Sequence, residues 1–126
     1  MKQKITNVLN WLMAAMFLNA GLNKIFNYIP PPPDLPEAMV KDFAAFIEIE
    51  WLFPLVAVTE IVGAVLIILK QTRPLGTLVL FPVVIGIALV HFIVEPGGII
   101  ISIILLALIG WNLWMDKNKF LTLVKA

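Results

Sequence analysis

Long apolar runs alternate with short polar or proline-rich segments along nearly the whole chain. The runs cover approximately residues 5–27, 51–69, 75–94 and 98–114. An α-helix needs about 20 predominantly apolar residues to cross the hydrocarbon core of a bilayer, and each run comes close to that length. The pattern therefore predicts an all-α protein, an integral membrane four-helix bundle that forms a single transmembrane domain over residues 1–126.

The connections between the runs differ in length. Residues 70–74 and 95–97 leave room only for tight turns, whereas residues 28–50 form a substantial loop. Short connections join antiparallel neighbours in helical bundles. The second, third and fourth spans are therefore predicted to pack side by side.

The long loop has two parts. Prolines occupy positions 30–33 and 36, which favours a stiff polyproline II strut. Apolar residues then recur at helical spacing, so residues 37–50 are predicted to form an interfacial helix on the membrane; these residues are Met39, Phe43, Phe46 and Ile47. One interpretation makes this helix a lid over an outward-facing cavity, and the other makes it a connector that covers the end of the bundle.

Composition supports a lipid environment and narrows the chemistry. Of the 126 residues, 61% are hydrophobic and 13% are charged, with a mean hydropathy of +1.00, whereas a soluble domain carries about 25% charged residues. No cysteine and a single histidine are present, which excludes disulfides, a thiolate metal site and a haem held by two histidines of one chain. We expect no metal site. The net charge of +1 gives no basis for nucleic-acid binding.

Basic residues predict the orientation of the bundle. Seven of the nine fall on one side of the predicted topology, and these are Lys2, Lys4, Lys70, Arg73, Lys117, Lys119 and Lys125. Lys24 and Lys41 fall on the other side. The positive-inside rule then places both termini in the cytoplasm and the proline-rich loop outside it. The expected location is a bacterial cytoplasmic (inner) membrane.

Polar residues within two of the runs share one helical face with small residues. On the first run, the face centred on Asn19 also carries Met16, Ala20, Asn23, Lys24 and Asn27. On the second run, one stripe contains Phe53, Ala57, Glu60, Gly63, Ala64 and Ile67. Small residues mark helix-packing faces in membranes, so both faces are predicted to point into the bundle.

Glu60 is the most informative of these polar residues. It lies nine residues after Trp51, which places it about 13 Å along the second span, near the membrane midplane. A carboxyl group there is costly unless it is compensated or used. It either forms interhelical contacts with Asn19 or Lys24, or it binds a ligand or handles protons.

Two other residues on the outer half of the bundle have similar alternatives. Lys24 can extend its ammonium to the lipid headgroups or extend it inward toward Glu60. His91, one turn before Glu95, is either a packing residue or a ligand-binding one. All six candidates lie from the midplane outward, so together they predict a polar pocket that opens outward; they are Asn19, Asn23, Lys24, Glu60, His91 and Glu95.

Two segments resemble the DoxX family of small bacterial membrane proteins. Residues 17–26, FLNAGLNKIF, are similar to the glycine and lysine pattern that ends the first span of that family. Residues 59–72, TEIVGAVLIILKQT, followed by Arg73, are similar to its glutamate and glycine pattern and its threonine-arginine turn. The resemblance implies a four-helix membrane bundle whose pocket includes Gly21, Lys24, Glu60 and His91. It also links some relatives to thiosulfate:quinone oxidoreductase, which works with a partner subunit.

Three functions remain open from the sequence. The first is a quinone-interacting accessory subunit, in which Lys24 or His91 contacts a quinone carbonyl and Glu60 exchanges protons. No flavin, haem or iron–sulfur motif is present in the sequence, so electrons would come from a soluble or membrane redox partner. The second is a small proton-coupled transporter that uses Glu60, and the third is a noncatalytic membrane scaffold. Either of the last two is compatible with a homo-oligomer.

Overall fold

The computed structural model describes residues 1–125 as an all-helical fold. The six α-helices are α1 (Lys2–Phe26), α2 (Glu37–Glu48), α3 (Leu52–Ile68), α4 (Arg73–Leu89), α5 (Ile99–Met115) and α6 (Lys117–Leu121). A π-helical turn, Val90–Val94, continues α4, and a short 3-10 turn, Pro96–Gly98, leads into α5. The predicted helix over residues 37–50 is present and ends two residues earlier, at Glu48.

Three helical segments in the described part of the chain are long and apolar enough to cross a membrane. They are Lys2–Phe26, Arg73–Val94 and Pro96–Met115. The second predicted span, α3, has only 17 residues, which is the lower end of the length that crosses a bilayer. The helices α2 and α3 meet at 94°. The described residues therefore contain three helices able to cross a membrane, or four if the bent α2–α3 pair is counted as one further span.

The helices pack in the order α1, α3, α4, α5, with α1 also contacting α5. The second, third and fourth predicted spans are therefore neighbours, as the short connections indicated. Contacts between distant residues show which helix ends lie together. Trp11 of α1 donates to the carbonyl oxygen of Ile68 at the end of α3, and Trp111 of α5 donates to Thr6. The start of α1, the α3–α4 turn and the end of α5 thus share one end of the bundle, which we call the basic end because Lys2, Arg73 and Lys117 lie there.

The predicted packing face of α3 is confirmed. Ala57, Glu60, Gly63, Ala64 and Ile67 are all buried. The opposite face is exposed on the outside of the bundle through Leu55, Val58, Val62, Val65 and Leu69. Such an apolar exterior is the surface that lipid covers in a membrane protein.

The predicted packing face of α1 is wrong at its centre. Asn19 is exposed, and the buried face consists of Thr6, Asn10, Met13, Ala14, Phe17 and Gly21. A Cβ atom added to Gly21 would lie 2.8 Å from the carbonyl oxygen of Ala57 and 2.6 Å from Cγ1 of Ile61. Only a glycine allows this close approach of α1 to α3. The position of Gly21 therefore sets the rotation of α1, and Asn19 lies on the other side.

Candidate functional site

A cavity of about 590 Å³ opens among α1, α2, α3, α4 and the π-helical turn. Its walls are Lys24, Met39, Asp42, Phe43, Phe46, Phe53, Leu55, Val56, Thr59, Glu60, Pro82, Val83, Gly86, Ile87, Val90 and His91. The volume lies in the range of about 300–1,000 Å³ that is typical of small-molecule sites. Most of these side chains are apolar, so the cavity is an apolar chamber with a few polar groups, whereas the sequence predicted a mainly polar pocket.

The principal polar feature of the cavity is an ion pair between α1 and α3. The Nζ atom of Lys24 lies 2.7 Å from Oε1 of Glu60, and the two side chains are 21% and 3% exposed. Of the two positions that the sequence left open for Lys24, the structure therefore has the inward one. A carboxylate that is removed from water needs such a partner, because an isolated buried charge is very costly.

The ion pair leaves hydrogen-bonding capacity unused. An ammonium has three N–H donors and a carboxylate has two acceptor oxygens, and the 2.7 Å contact between Lys24 and Oε1 of Glu60 uses only one of each. The ammonium of Lys24 also lies 5.7 Å from the ring centroid of Phe53, within the range of a cation–π contact. Both charged groups can therefore accept a further partner from the cavity.

The π-helical turn brings His91 to the cavity wall. Its Nδ1 atom is 2.9 Å from the carbonyl oxygen of Glu95 and 3.4 Å from the Oε2 atom of the same residue. Because a carbonyl oxygen only accepts hydrogen bonds, Nδ1 carries a proton, and in the neutral form of the ring Nε2 is an acceptor. The ring also packs against Gly98, where any added Cβ atom would collide with it. These contacts hold the imidazole in one orientation.

The other three predicted site residues lie outside the cavity wall. Asn19 accepts a hydrogen bond from the hydroxyl of Tyr28, and Asn23 accepts one from the backbone N–H of Ile29 at 2.8 Å. Glu95 accepts from the backbone N–H of Gly97 at 2.8 Å and so begins the 3-10 turn. These side chains hold the ends of the connecting segments, while Lys24, Glu60 and His91 meet in the cavity.

The sequence left α2 open as either a lid over a cavity or a connector, and no residue of α2 was a predicted site residue; in the structure α2 lines the cavity. Asp42 lines the cavity from this helix together with Met39, Phe43 and Phe46. Phe46 also packs edge-on against Phe53 of α3, with their ring centroids 5.5 Å apart. Three of these residues were noted for their helical spacing, which indicated an apolar face. Their position over the cavity follows from the sharp bend between α2 and α3, which the spacing does not contain.

A second polar cluster, also missed, lies at the basic end. Asn10 of α1 and Asn112 of α5 exchange two amide hydrogen bonds, of 3.0 and 2.7 Å. Asn112 also donates to Thr77 of α4 at 3.3 Å. All three side chains are buried. Because they satisfy one another, this cluster joins three helices and offers no free group to a ligand.

Arg73 completes the basic end. Arg73 is 3% exposed. Its guanidinium donates through Nε to the carbonyl oxygen of Ile67 at 2.9 Å and through Nη2 to that of Ile68 at 3.3 Å. A third bond joins Nη1 to Asn7 of α1 at 2.9 Å. The last carbonyl groups of a helix lack intrahelical donors and carry a partial negative charge. Arg73 therefore caps α3 and ties its end to α1.

The fold and cavity define a helical integral membrane protein with a charged pair beside an apolar chamber. Residues 7–94, most of the chain, match the DoxX family. The chain therefore belongs to the DoxX family of small membrane proteins.

The chain also resembles a distant bacterial relative. Over 62 residues the chain is 34% identical to a Bacillus subtilis (strain 168) protein named "Uncharacterized protein YwoB". This segment is 49% of the present chain and 40% of YwoB, so the match spans less than half of either protein. No solved structure matches the chain significantly.

Proposed function

We propose that this protein binds a quinone in the cavity and acts as an accessory membrane subunit of a redox system. The observation that carries the proposal is the combination of a large apolar chamber with the Lys24–Glu60 pair and His91 on its wall. Ligand sites of this kind use apolar surface for affinity and a few polar groups for orientation. A quinone needs both, since its ring faces are apolar and its two carbonyl oxygens accept hydrogen bonds.

The polar groups suit the two redox forms of such a ligand. The ammonium of Lys24 is a donor for a quinone carbonyl oxygen. The hydroxyl groups of the reduced form, the quinol, are donors, and both the Glu60 carboxylate and Nε2 of His91 are acceptors for them. Reduction of a quinone takes up two electrons and two protons. In this proposal a redox partner protein supplies the two electrons, and Glu60 takes up two protons in turn from water and passes them to the two ring oxygens.

The proposal includes an orientation in the cytoplasmic membrane of a bacterium. Seven of the nine basic residues belong to the segments at the basic end or to the chain termini, and such residues favour the cytoplasmic side. Both termini would then be cytoplasmic. The cavity and α2 would lie toward the outer surface, where α2 would cover the chamber.

Ligand binding by the purified protein tests the proposal. The protein is purified in mild detergent, its organic extract is analysed by mass spectrometry, and decylubiquinone is titrated against tryptophan fluorescence. We expect quinone to be enriched with the native protein and lost with Glu60→Gln, while Glu50→Gln, which removes an exposed carboxylate outside the cavity, retains it. Equal quinone content in native protein, both variants and an unrelated membrane protein would overturn the proposal.

The same experiment separates the two other functions. A proton-coupled transporter would enrich a different small molecule, and Glu60→Gln would abolish its proton-dependent movement in liposomes. A noncatalytic scaffold would yield bulk lipid only. In that case Glu60→Gln would leave every extract unchanged and would alter only the assembly of a complex.

A further inference from the structure

We infer that the cavity opens sideways into the bilayer between α3 and α4, so that its ligand is an amphiphile whose aliphatic tail leaves through this opening. The inference rests on the proposed function and adds the route of entry and the class of ligand. Its basis is the change in exposure across the cavity wall. Glu60 is almost completely buried, whereas Leu55, which also lines the cavity from α3, is 54% exposed.

Helix α4 also contributes exposed residues to the cavity wall. Pro82 and Gly86 both line the cavity and are both exposed. A Cβ atom added to Gly86 would meet no atom within 4 Å. Val83 and Ile87, one position further along in each case, are half-buried and line the inner part of the cavity. The chamber therefore continues from the ion pair to the lipid-facing surface as one apolar space.

The chemistry of this opening identifies what passes through it. The exposed residues on both sides, Leu55, Pro82 and Gly86, carry no charge, and Thr59 is a polar residue that lines the cavity one turn after Leu55. The Thr59 hydroxyl donates to the carbonyl oxygen of Leu55 at 2.8 Å, so its proton is already used within α3. A hydrocarbon chain fits such a surface, because no polar group is buried beneath it without a partner. The polar head of the ligand then lies at Lys24 and Glu60.

Gly86 and Gly110 provide a matched pair of variants. Both glycines are exposed within helices, and an added Cβ atom meets nothing within 4 Å at either position. Leucine is the better helix former at both sites, so each substitution should preserve the fold. Only Gly86 lines the cavity. Gly86→Leu therefore fills the opening, while Gly110→Leu adds the same side chain to α5 away from it.

The test compares a tail-less dimethoxy-methyl-benzoquinone with its decyl derivative, decylubiquinone, in one detergent. Each methylene that loses its contacts weakens binding about fourfold. We expect Gly86→Leu to weaken decylubiquinone binding by about tenfold or more, through two or more methylenes, and to leave the tail-less compound unchanged. Gly110→Leu should change neither. If Gly86→Leu fails to fold, Leu55→Trp obstructs the opening from the opposite wall and takes its place.

The other outcomes are distinguishable. If the native protein binds neither compound, the proposed function fails and the tail route fails with it. If it binds both and Gly86→Leu binds them equally well, quinone binding stands and the lateral opening is wrong. If Gly86→Leu alters only the oligomeric state, measured by light scattering on the detergent complex, a second copy of the chain occupies the groove and the inference is overturned.

Discussion

Nζ of Lys24 lies 2.7 Å from Oε1 of Glu60 and joins α1 to α3 in the half of the bundle opposite the basic end. The two helices also approach each other closely near this pair, because Gly21 lies one turn before Lys24 and faces Ala57 and Ile61 of α3. The contact at Gly21 and the Lys24–Glu60 ion pair therefore belong to the same interface between α1 and α3. The interface both stabilises the bundle and forms the polar end of the cavity.

The first prediction concerns the energetic coupling of Lys24 and Glu60. Lys24→Met leaves the Glu60 carboxylate buried without its partner, so this variant should unfold at a lower temperature in detergent than the native protein. Glu60→Gln should compensate part of that loss. We expect the double-mutant cycle to give a coupling energy of roughly 0.5–3 kcal/mol. Thermal unfolding followed by circular dichroism measures it.

A control cycle uses charged residues of α2 that make no ion pair with each other. Lys41 and Glu48 are both exposed, so Lys41→Met and Glu48→Gln should have additive effects. Strict additivity in the Lys24 and Glu60 cycle as well would contradict the contact between α1 and α3.

The second prediction concerns the close approach at Gly21. Gly21→Ala introduces a Cβ atom that would lie 2.6 Å from Cγ1 of Ile61 and 2.8 Å from the carbonyl oxygen of Ala57. The helices must separate to accept it, which should cost about 1–3 kcal/mol of stability. Gly110→Ala meets open space and should stabilise the protein by up to about 1 kcal/mol, through the higher helix propensity of alanine. A stabilising Gly21→Ala substitution would show that α1 and α3 do not pack through this residue.

The third prediction concerns the paired amides of Asn10 and Asn112. Asn112→Ala removes both bonds of the pair and leaves buried groups of Asn10 without a partner in α5. We expect a loss of about 1–3 kcal/mol. The Asn10→Ala and Asn112→Ala double variant should lose less than the sum of the single effects, since one interaction cannot be removed twice.

Asn118 serves as the reference for this prediction. It is exposed in α6, so Asn118→Ala should change the unfolding temperature little. If Asn112→Ala behaved like Asn118→Ala, the two amides would not be paired in the folded protein.

The fourth prediction concerns Arg73, whose guanidinium bonds three acceptors on two helices. Arg73→Lys keeps the charge but loses the planar fork of donors that reaches these oxygens together. We expect the variant to lose roughly 1–3 kcal/mol, because the buried carbonyl oxygen of Ile67 loses its donor and the bond to Asn7 of α1 is lost. Lys70→Arg, at an exposed position in the same turn, should have almost no effect. Unchanged unfolding of Arg73→Lys in detergent would exclude the capping role.

The sequence determined the positions of the main helices and the buried face of α3. Apolar runs of membrane-crossing length predicted α1, α4 and α5, because in lipid the backbone of a spanning segment must satisfy its own hydrogen bonds. Small residues at helical spacing predicted that Ala57, Glu60 and Gly63 face inward. These signals are local: each depends on residues of one helix and on the 3.6-residue repeat.

Tertiary structure decided which polar groups meet. Lys24 was free to turn toward lipid headgroups or toward Glu60, and Asn19 shared a predicted face with it. The close contact at Gly21 fixed the rotation that directs Lys24 to Glu60 and leaves Asn19 exposed. Asn10 and Asn112 are separated by 102 residues, so no spacing rule could pair them. His91 reached the cavity through a π-helical turn that periodicity does not contain. A helical sequence specifies which faces can pack, whereas the partner helix determines which of them does.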